Sequence, residues 1–285
     1  MRRSLFFCFP LAVSVFAARV YSGQLVHREF AQPISQDQAF SLRLNVDTGV
    51  ILVQPSDSGQ LVLSVDYDSS VVSYRHDVDP DIRRFRVNLN VRSWLRQQGK
   101  AGKEHLAFLN VRVPANAPFG LTVRSKASET ELRLGGLRLE WLKLDILAGE
   151  TLLDFSKPNP ELLHRLKIKH KIGDLTVRHL LNANFESAQI DGGVGEIDVD
   201  LSGDRKLVQS SVLELHLGVG STTLHVPPDL PVRFEISKKL VSSVEVDGHF
   251  RQIRGGYESA AYSETRPGLL VRVKAGVGSL DILAE

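Results

Sequence analysis

The sequence predicts an all-β protein: a solenoid-like stack of short β-strands, a β-helix-like repeat array forming a single elongated body. Three observations predict it. Apolar residues fall at every second position through most of the chain, and helical periodicity is nearly absent. Glycines mark turns between paired alternating runs, as in Leu217-Gly218-Val219-Gly220-Ser221. The unit also recurs: Gly149, Gly173, Gly195 and Gly220 stand 24, 22 and 25 residues apart. From Gly220 to Gly278 the interval is 58, about two repeats, with a degenerate unit expected at Val246-Asp247-Gly248-His249-Phe250. Units of this length cannot bury their apolar faces alone; stacking makes the core continuous. An antiparallel sandwich of look-alike hairpins is the competing architecture.

The elements follow in order. Arg2 and Arg3 precede the apolar run Leu5 to Ala17, which is too short for an ordinary membrane-spanning helix. Residues 1–22 read as a signal peptide cut after Ala17 or Ser22, with an uncleaved anchor as the alternative. Cys8, the single cysteine, lies inside this run, too early for a lipid-attachment site. The mature chain is therefore expected to have no disulfide and no thiolate metal site. Loss of Arg2 and Arg3 takes the formal charge from +2 to 0, so no basic excess points to nucleic acid. No later stretch is long and apolar enough to form a transmembrane helix. Residues 23–118 form an N-terminal β section, with alternating runs at Ser41–Val46, Val50–Val53, Gln60–Tyr67, Phe85–Val91 and Leu109–Val113. Residues 119–285 form the repeat array. In it Leu215, Leu217, Val219, Leu224 and Val226 are expected to face the core. Pro158-Asn159-Pro160-Glu161 reads as the start of a helical turn, with Pro160 in the first position.

Chemistry-bearing motifs are sparse. Gly218-Val219-Gly220-Ser221-Thr222-Thr223 lacks the third glycine of a dinucleotide loop, is followed by a strand, and has no Gly-Lys-Ser/Thr. No cofactor is expected. The nine histidines form no H-E-x-x-H or comparable pair. His216 and His225 flank one glycine turn on the outer face; neighbouring strands would bring them close enough for a two-histidine metal site, but two exposed imidazoles are the plainer reading. His170 shares the phase of Ile168 and Ile172 and reads as a partly buried, hydrogen-bonded histidine. There is no G-x-S-x-G elbow and no triad stands out. Asp191, Glu196, Asp198 and Asp200 make an acidic edge, and Asp145, Asp154, Asp198 and Asp281 could stack along one face, as a carbohydrate-cleaving array would need. The most biased stretch holds Arg83, Arg84, Arg86, Arg92, Trp94, Arg96, Lys100 and Lys103 without an acidic residue. A basic loop with an aromatic suits an anionic partner; the alternative is a solvated edge whose charges discourage strand pairing.

The units "LKIKHKIGDLTV", "AQIDGGVGEIDVDLSG", "LELHLGVGSTTLHVPPDLPVRFEI" and "LLVRVKAGVGSLDIL" resemble the toast-rack, or adhesin-like, domains of bacterial envelope proteins. The resemblance runs from about Leu121 to the end, with "LRLNVDTGVILVQP" a weaker match. It implies stacked β-strands in an exported, usually non-catalytic domain, and offers no catalytic residues to carry over. The attached transmembrane or sensor segment common in such proteins is missing here, which counts against signalling. The expected function is that of an exported, non-enzymatic envelope or surface interaction protein, located in the periplasm, cell envelope or extracellular space. Its expected partner is an envelope protein, a polysaccharide or an anionic polymer surface, and not nucleic acid. A carbohydrate-active β-helical enzyme and a periplasmic lipid- or polymer-binding module are the alternatives.

Overall fold

The computed structural model describes residues 24–36, 38–81, 83–92, 106–204, 207–238 and 242–285. The expected signal at 1–22 and the Trp94 to His105 loop lie outside them. The chain is all-β. Its first strands are β1 (Leu25–Pro33), β2 (Phe40–Ser56), β3 (Gln60–Asp68), β4 (Val72–Asp79), β5 (Arg84–Val91) and β6 (Ala107–Pro114). Then come β7 (Phe119–Arg133), β8 (Leu139–Ile146), β9 (Thr151–Asp154), β10 (Arg165–Ile172), β11 (Leu175–Arg178), β12 (Ser187–Val194), β13 (Ile197–Asp200), β14 (Ser211–His216) and β15 (Val219–Val226). The last are β16 (Val232–Lys238), β17 (Ser242–Val246), β18 (Arg251–Ile253), β19 (Gly256–Glu258), β20 (Leu269–Ala275) and β21 (Val277–Ala284). Among the described residues no helix is long and apolar enough to cross a membrane.

The strands stack in two parallel ladders that meet at a corner. The first runs β5–β2–β7–β8–β10–β12–β14–β20–β16. The second runs β6–β2–β7–β9–β11–β13–β15–β21–β17. Strands β2 and β7 turn the corner unbroken and belong to both. Parallel neighbours set this arrangement apart from the antiparallel sandwich. The ladder also crosses from the 23–118 section into the repeats without interruption, because β2 pairs with β7 from Phe40↔Phe119 to Val53↔Leu132.

Register converts sequence alternation into rows. Leu42, Leu121, Leu142, Leu166, Ala188, Leu213, Val271 and Phe234 occupy one inward row of the first ladder. Val53, Leu132, Leu153, Val177, Val199, Leu224 and Ile282 occupy one inward row of the second. All are buried and belong to one continuous core. Burying each Leu, Val or Phe contributes roughly 1.5–3 kcal/mol relative to exposure, so every added rung extends the core by several such increments.

The corner explains the glycines. Gly149, Gly173, Gly195, Gly220 and Gly278 all have φ between 112° and 141°, a region that side chains disfavour. Each also sits under a carbonyl. A Cβ on Gly173 would stand 2.1 Å from the Gly149 oxygen, one on Gly195 2.0 Å from that of Gly173, and one on Gly220 1.9 Å from that of Gly195. A second column, Gly193, Gly218 and Gly276, is packed in the same way, with Gly218 1.9 Å from the Gly193 oxygen. The residue between the columns points outward. Ile172, Val194, Val219 and Val277 pair along the stack and are 54%, 54%, 51% and 43% exposed. The inward placement expected for Val219 is therefore corrected: alternation resets at the corner, where the chain spends two residues changing direction. Leu217 is only partly buried.

Two further expectations are corrected. The units do not stack in chain order at the end. β20–β21 lies directly on β14–β15, matching Gly220 to Gly278, and β16–β17 lies beyond it. The expected degenerate unit at 246–250 is a turn after β17, where the Phe250 N–H donates to the Asp247 carbonyl, and not a glycine corner. Nor does Pro160 start a helix. That loop is held by buried Asn159, whose Nδ2 donates to the Leu139 and Ala183 carbonyls while its Oδ1 accepts from the Leu139 N–H. A 3-10 turn falls one unit later, at Leu180–Ala183.

Corner and loop glycines should respond differently to a methyl group. Gly220→Ala is expected to cost about 2–4 kcal/mol, from positive-φ strain plus the carbonyl overlap. Gly248→Ala, with nothing within 4 Å of the new Cβ, is expected to stay within about 0.5 kcal/mol of the parent. Urea unfolding measures both; equal costs would contradict the stacking explanation.

Candidate functional site

Most of the chemistry-bearing side chains stand on the two outer faces. On the first ladder, the row one residue out of phase with the core reads Arg86, Arg43, Thr122, Lys143, Lys167, Gln189, Glu214, Arg272, Glu235. The next row reads Asn88, Asn45, Arg124, Asp145, Lys169, Asp191, His216, Lys274. The two halves of this face differ. Toward β16, Arg272 lies 3.7 Å from Glu214 and 3.2 Å from Glu235, and His216 Nδ1 lies 2.8 Å from Asp191. Toward β5, none of Arg43, Arg86, Arg124 and Lys143 has an ion-pair partner among the described residues, and Lys167 donates only to Gln189. Burial, and then the guanidiniums of Arg124, Arg86 and Arg84, push the Arg43 pKa below its ordinary value.

The basic stretch read from the sequence is thus split. Arg84 and Arg86 lie on β5, facing this strip. Arg83 adopts a left-handed φ of 46° and borders a cavity of about 270 Å³ with Phe40, Val78 and Phe85. Arg92 donates to the Ser69 carbonyl. Trp94, Arg96, Lys100 and Lys103 lie outside the described residues. The structure adds Arg43, Arg124 and Lys143, which sequence proximity could not connect to Arg86. Their shared phase within successive units was the available signal.

The second face carries histidine–carboxylate pairs between rungs. His179 Nδ1 lies 2.8 Å from Asp154, and His225 lies 3.1 Å from Asp198 and 3.0 Å from Glu285. The expected His216–His225 neighbourhood does not form, because β14 and β15 belong to different ladders. The expected row of four aspartates also divides. Asp145 lies on the first ladder, Asp154 lies in a different row of the second, and Thr223 separates Asp198 from Asp281. Asp191 is likewise on the other face from Asp198 and Asp200. Among the described residues no group of three or more His, Cys, Asp or Glu is placed to hold a metal ion. Burial would raise the Asp200 pKa, but hydrogen bonds from Ser202 and the His179 N–H hold it low. Burial would lower that of His225, but Asp198 and then Glu285 hold it above the ordinary value. His170 is 2% exposed, under Ile146 and beside Gly192 in the ladder. Burial pushes its pKa down against a hydrogen bond to the Gly149 backbone and the charge of Asp174.

Residues 21–178 match the family described as the N-terminal domain of toast-rack, DUF2154. The match spans the N-terminal strands as well as the first repeats, so it reaches well before Leu121. A comparison with curated proteins finds no match. Among solved structures, a candidate cell adhesion protein from Clostridium sporogenes is similar at 15% identity and TM-score 0.42, over 91% of this chain and 100% of that one. A candidate adhesin from Bacteroides fragilis is similar at 12% identity and TM-score 0.39, over 92% and 98%. Another from Parabacteroides distasonis is similar at 14% identity and TM-score 0.30, over 92% and 98%.

The two shifted histidines have opposite pH signatures. His225, with its pKa raised on folding, adds stability that is full below the ordinary histidine pKa and lost as pH rises through the folded value. His170, with its pKa lowered, adds stability that is full above the ordinary value and lost as pH falls toward the folded one. His225→Gln is therefore expected to cost about 1 kcal/mol at pH 5 and less at pH 8. His170→Leu should flatten the loss of stability between pH 7 and pH 5. Urea midpoints across that range decide it; a pH-independent His225→Gln penalty would contradict the pairing.

Proposed function

Because the chain belongs to the family of toast-rack N-terminal domains, we propose that it is an exported, non-enzymatic, adhesin-like protein of the bacterial envelope, which binds through the outer faces of a solenoid-like coil. The observation that carries this reading is the continuity of the outward rows, in which side chains from distant parts of the chain stand in register along the outer face of the sheet. An extended surface of this kind suits an extended partner. The corner cavity that collects the glycines, about 20 Å³ in volume, has room for about one water. The carboxylates that a glycoside-cleaving array would need to converge are divided between two faces, and Asp154 and Asp198 are engaged by histidines. The signal-like segment at 1–22 supports export.

The protein is expected to be retained by isolated bacterial envelope material and to release no reducing ends from a polysaccharide panel. Sustained release of reducing ends that Asp198→Asn or Asp154→Asn abolishes would replace this reading with a carbohydrate-active enzyme.

A further inference from the structure

We propose that the basic half of the first ladder's outer face is a binding strip for an acidic, uronate-bearing polysaccharide, laid across the strands from β5 to β10. The inference rests on the binding role proposed above and names its ligand class. Three features of the strip carry it.

The first is uncompensated charge. Arg86, Arg43, Lys143 and Lys167 share one register row, with Thr122 between the arginines and the lysines. Arg124 stands in the adjoining row. Among the described residues the carboxylates facing them are few: Asp77 opposite Arg86 on the edge strand β4, and Asp145 beside Arg124. Neither forms an ion pair with these cations. Among the described residues the same row beyond β12 is ion-paired through the Glu214–Arg272–Glu235 chain, so the run of unpaired cations in this row is confined to the β5–β10 half. The mutual repulsion felt by Arg43 is what a bound anion would relieve.

The second is spacing. Parallel strands repeat every 4.7–4.9 Å, so the four intervals from β5 to β10 span roughly 19 Å. The rungs therefore repeat at close to the length of one sugar unit in an extended chain, with a cation in the row on every rung but β7, where Thr122 stands and Arg124 lies in the adjoining row. A linear polymer with one carboxylate per sugar can meet successive rungs without bending.

The third is relief along the line. The half-buried Trp141 lies across Gly120, where a Cβ would stand 1.8 Å from the indole, and it is in register with Arg165. A flat aromatic face beside a cation fits the apolar face of a sugar ring next to its carboxylate. Past Arg165 and Lys167 the surface opens into a groove of about 430 Å³ lined by Ser187, Ala188, Gln189, Val212 and, at its far side, Glu214, which is paired with Arg272. A lipid surface fits less well. Among the described residues the one row of large exposed aliphatics, Ile172, Val194, Val219 and Val277, runs along the glycine corner; those nearest these cations are the single side chains of Val78, on β4 opposite Phe85, and Leu147, just past β8.

The test is titration calorimetry of the full mature chain with polygalacturonate at low salt. Galacturonic acid monomer, neutral dextran and anionic phospholipid vesicles are the comparisons. Expected are salt-sensitive binding of the polymer, and much weaker binding of the monomer at equal uronate concentration. Arg43→Gln/Lys143→Gln/Lys167→Gln should weaken polymer binding about tenfold with the urea midpoint little changed, taking about 0.5 kcal/mol per partly exposed charge. Lys274→Gln, on the neutralised half, should leave it unchanged. Absence of polymer binding, equal binding by the triple variant, or preference for vesicles would overturn the strip. If envelope material is still retained in that case, the adhesin-like reading stands and only the ligand assignment falls.

Discussion

A carbonyl oxygen resting where a glycine side chain would be is the contact on which the rest of this structure depends. At the glycine corners the chain turns with positive φ, and it does so within one strand spacing of the rung before. Gly149, Gly173, Gly195, Gly220 and Gly278 meet both demands, and any Cβ there would force the rungs apart. Because the corners are held at ladder spacing, the strands on either side stay in register. Register in turn lines up Leu on Leu in the core and charge on charge outside. The faces that could bind a partner are thus set by groups that never touch one.

The same contact accounts for the order of the last units. The Gly218-Val219-Gly220 corner is followed by a rung that also lacks side chains at both positions, Gly276-Val277-Gly278, where a Cβ at either glycine would stand 1.8 Å from the oxygen beneath. The β16–β17 unit has no such motif. It stands at the end of the stack, where Ser243 Oγ donates to the Gly278 carbonyl. Antiparallel strands close much of what remains open: β19 on β16, β4 on β5, β3 on β6 and β1 on β3. Such caps satisfy ladder edges that would otherwise invite another chain.

The sequence made some of this legible and hid the rest for physical reasons. Alternation identified the strands and the inward residues Leu215, Leu224 and Val226, because period-two patterning survives wherever one face is buried. Recurrent glycines identified the corners. Neither signal says which unit neighbours which, so the insertion of β20–β21 was invisible, and with it the partner of every edge. Val219 was misplaced because alternation does not continue through a corner. Arg83 to Arg86 form a visible local run, but Arg43 and Arg124 join Arg86 only through parallel pairing across about forty residues of chain for β2–β5 and about eighty for β2–β7. The histidines are scattered in sequence and in space. Their carboxylates lie one or more rungs away, reachable only once register is known.

The outer rows are only as continuous as the stack, so the spatial order of the last units is the point to measure. Cysteine pairs report it directly in a Cys8→Ser background, since a disulfide needs Cα atoms within about 7 Å. Ser221 and Ser279 are register partners on adjacent rungs, as are Ser279 and Ser243. Ser221 and Ser243 are separated by two strand spacings, about 9.6 Å. Oxidation should close Ser221→Cys/Ser279→Cys readily and leave Ser221→Cys/Ser243→Cys open, read by mass shift under non-reducing conditions. Closure of the second pair and not the first would mean that the units stack in chain order, and would contradict the account.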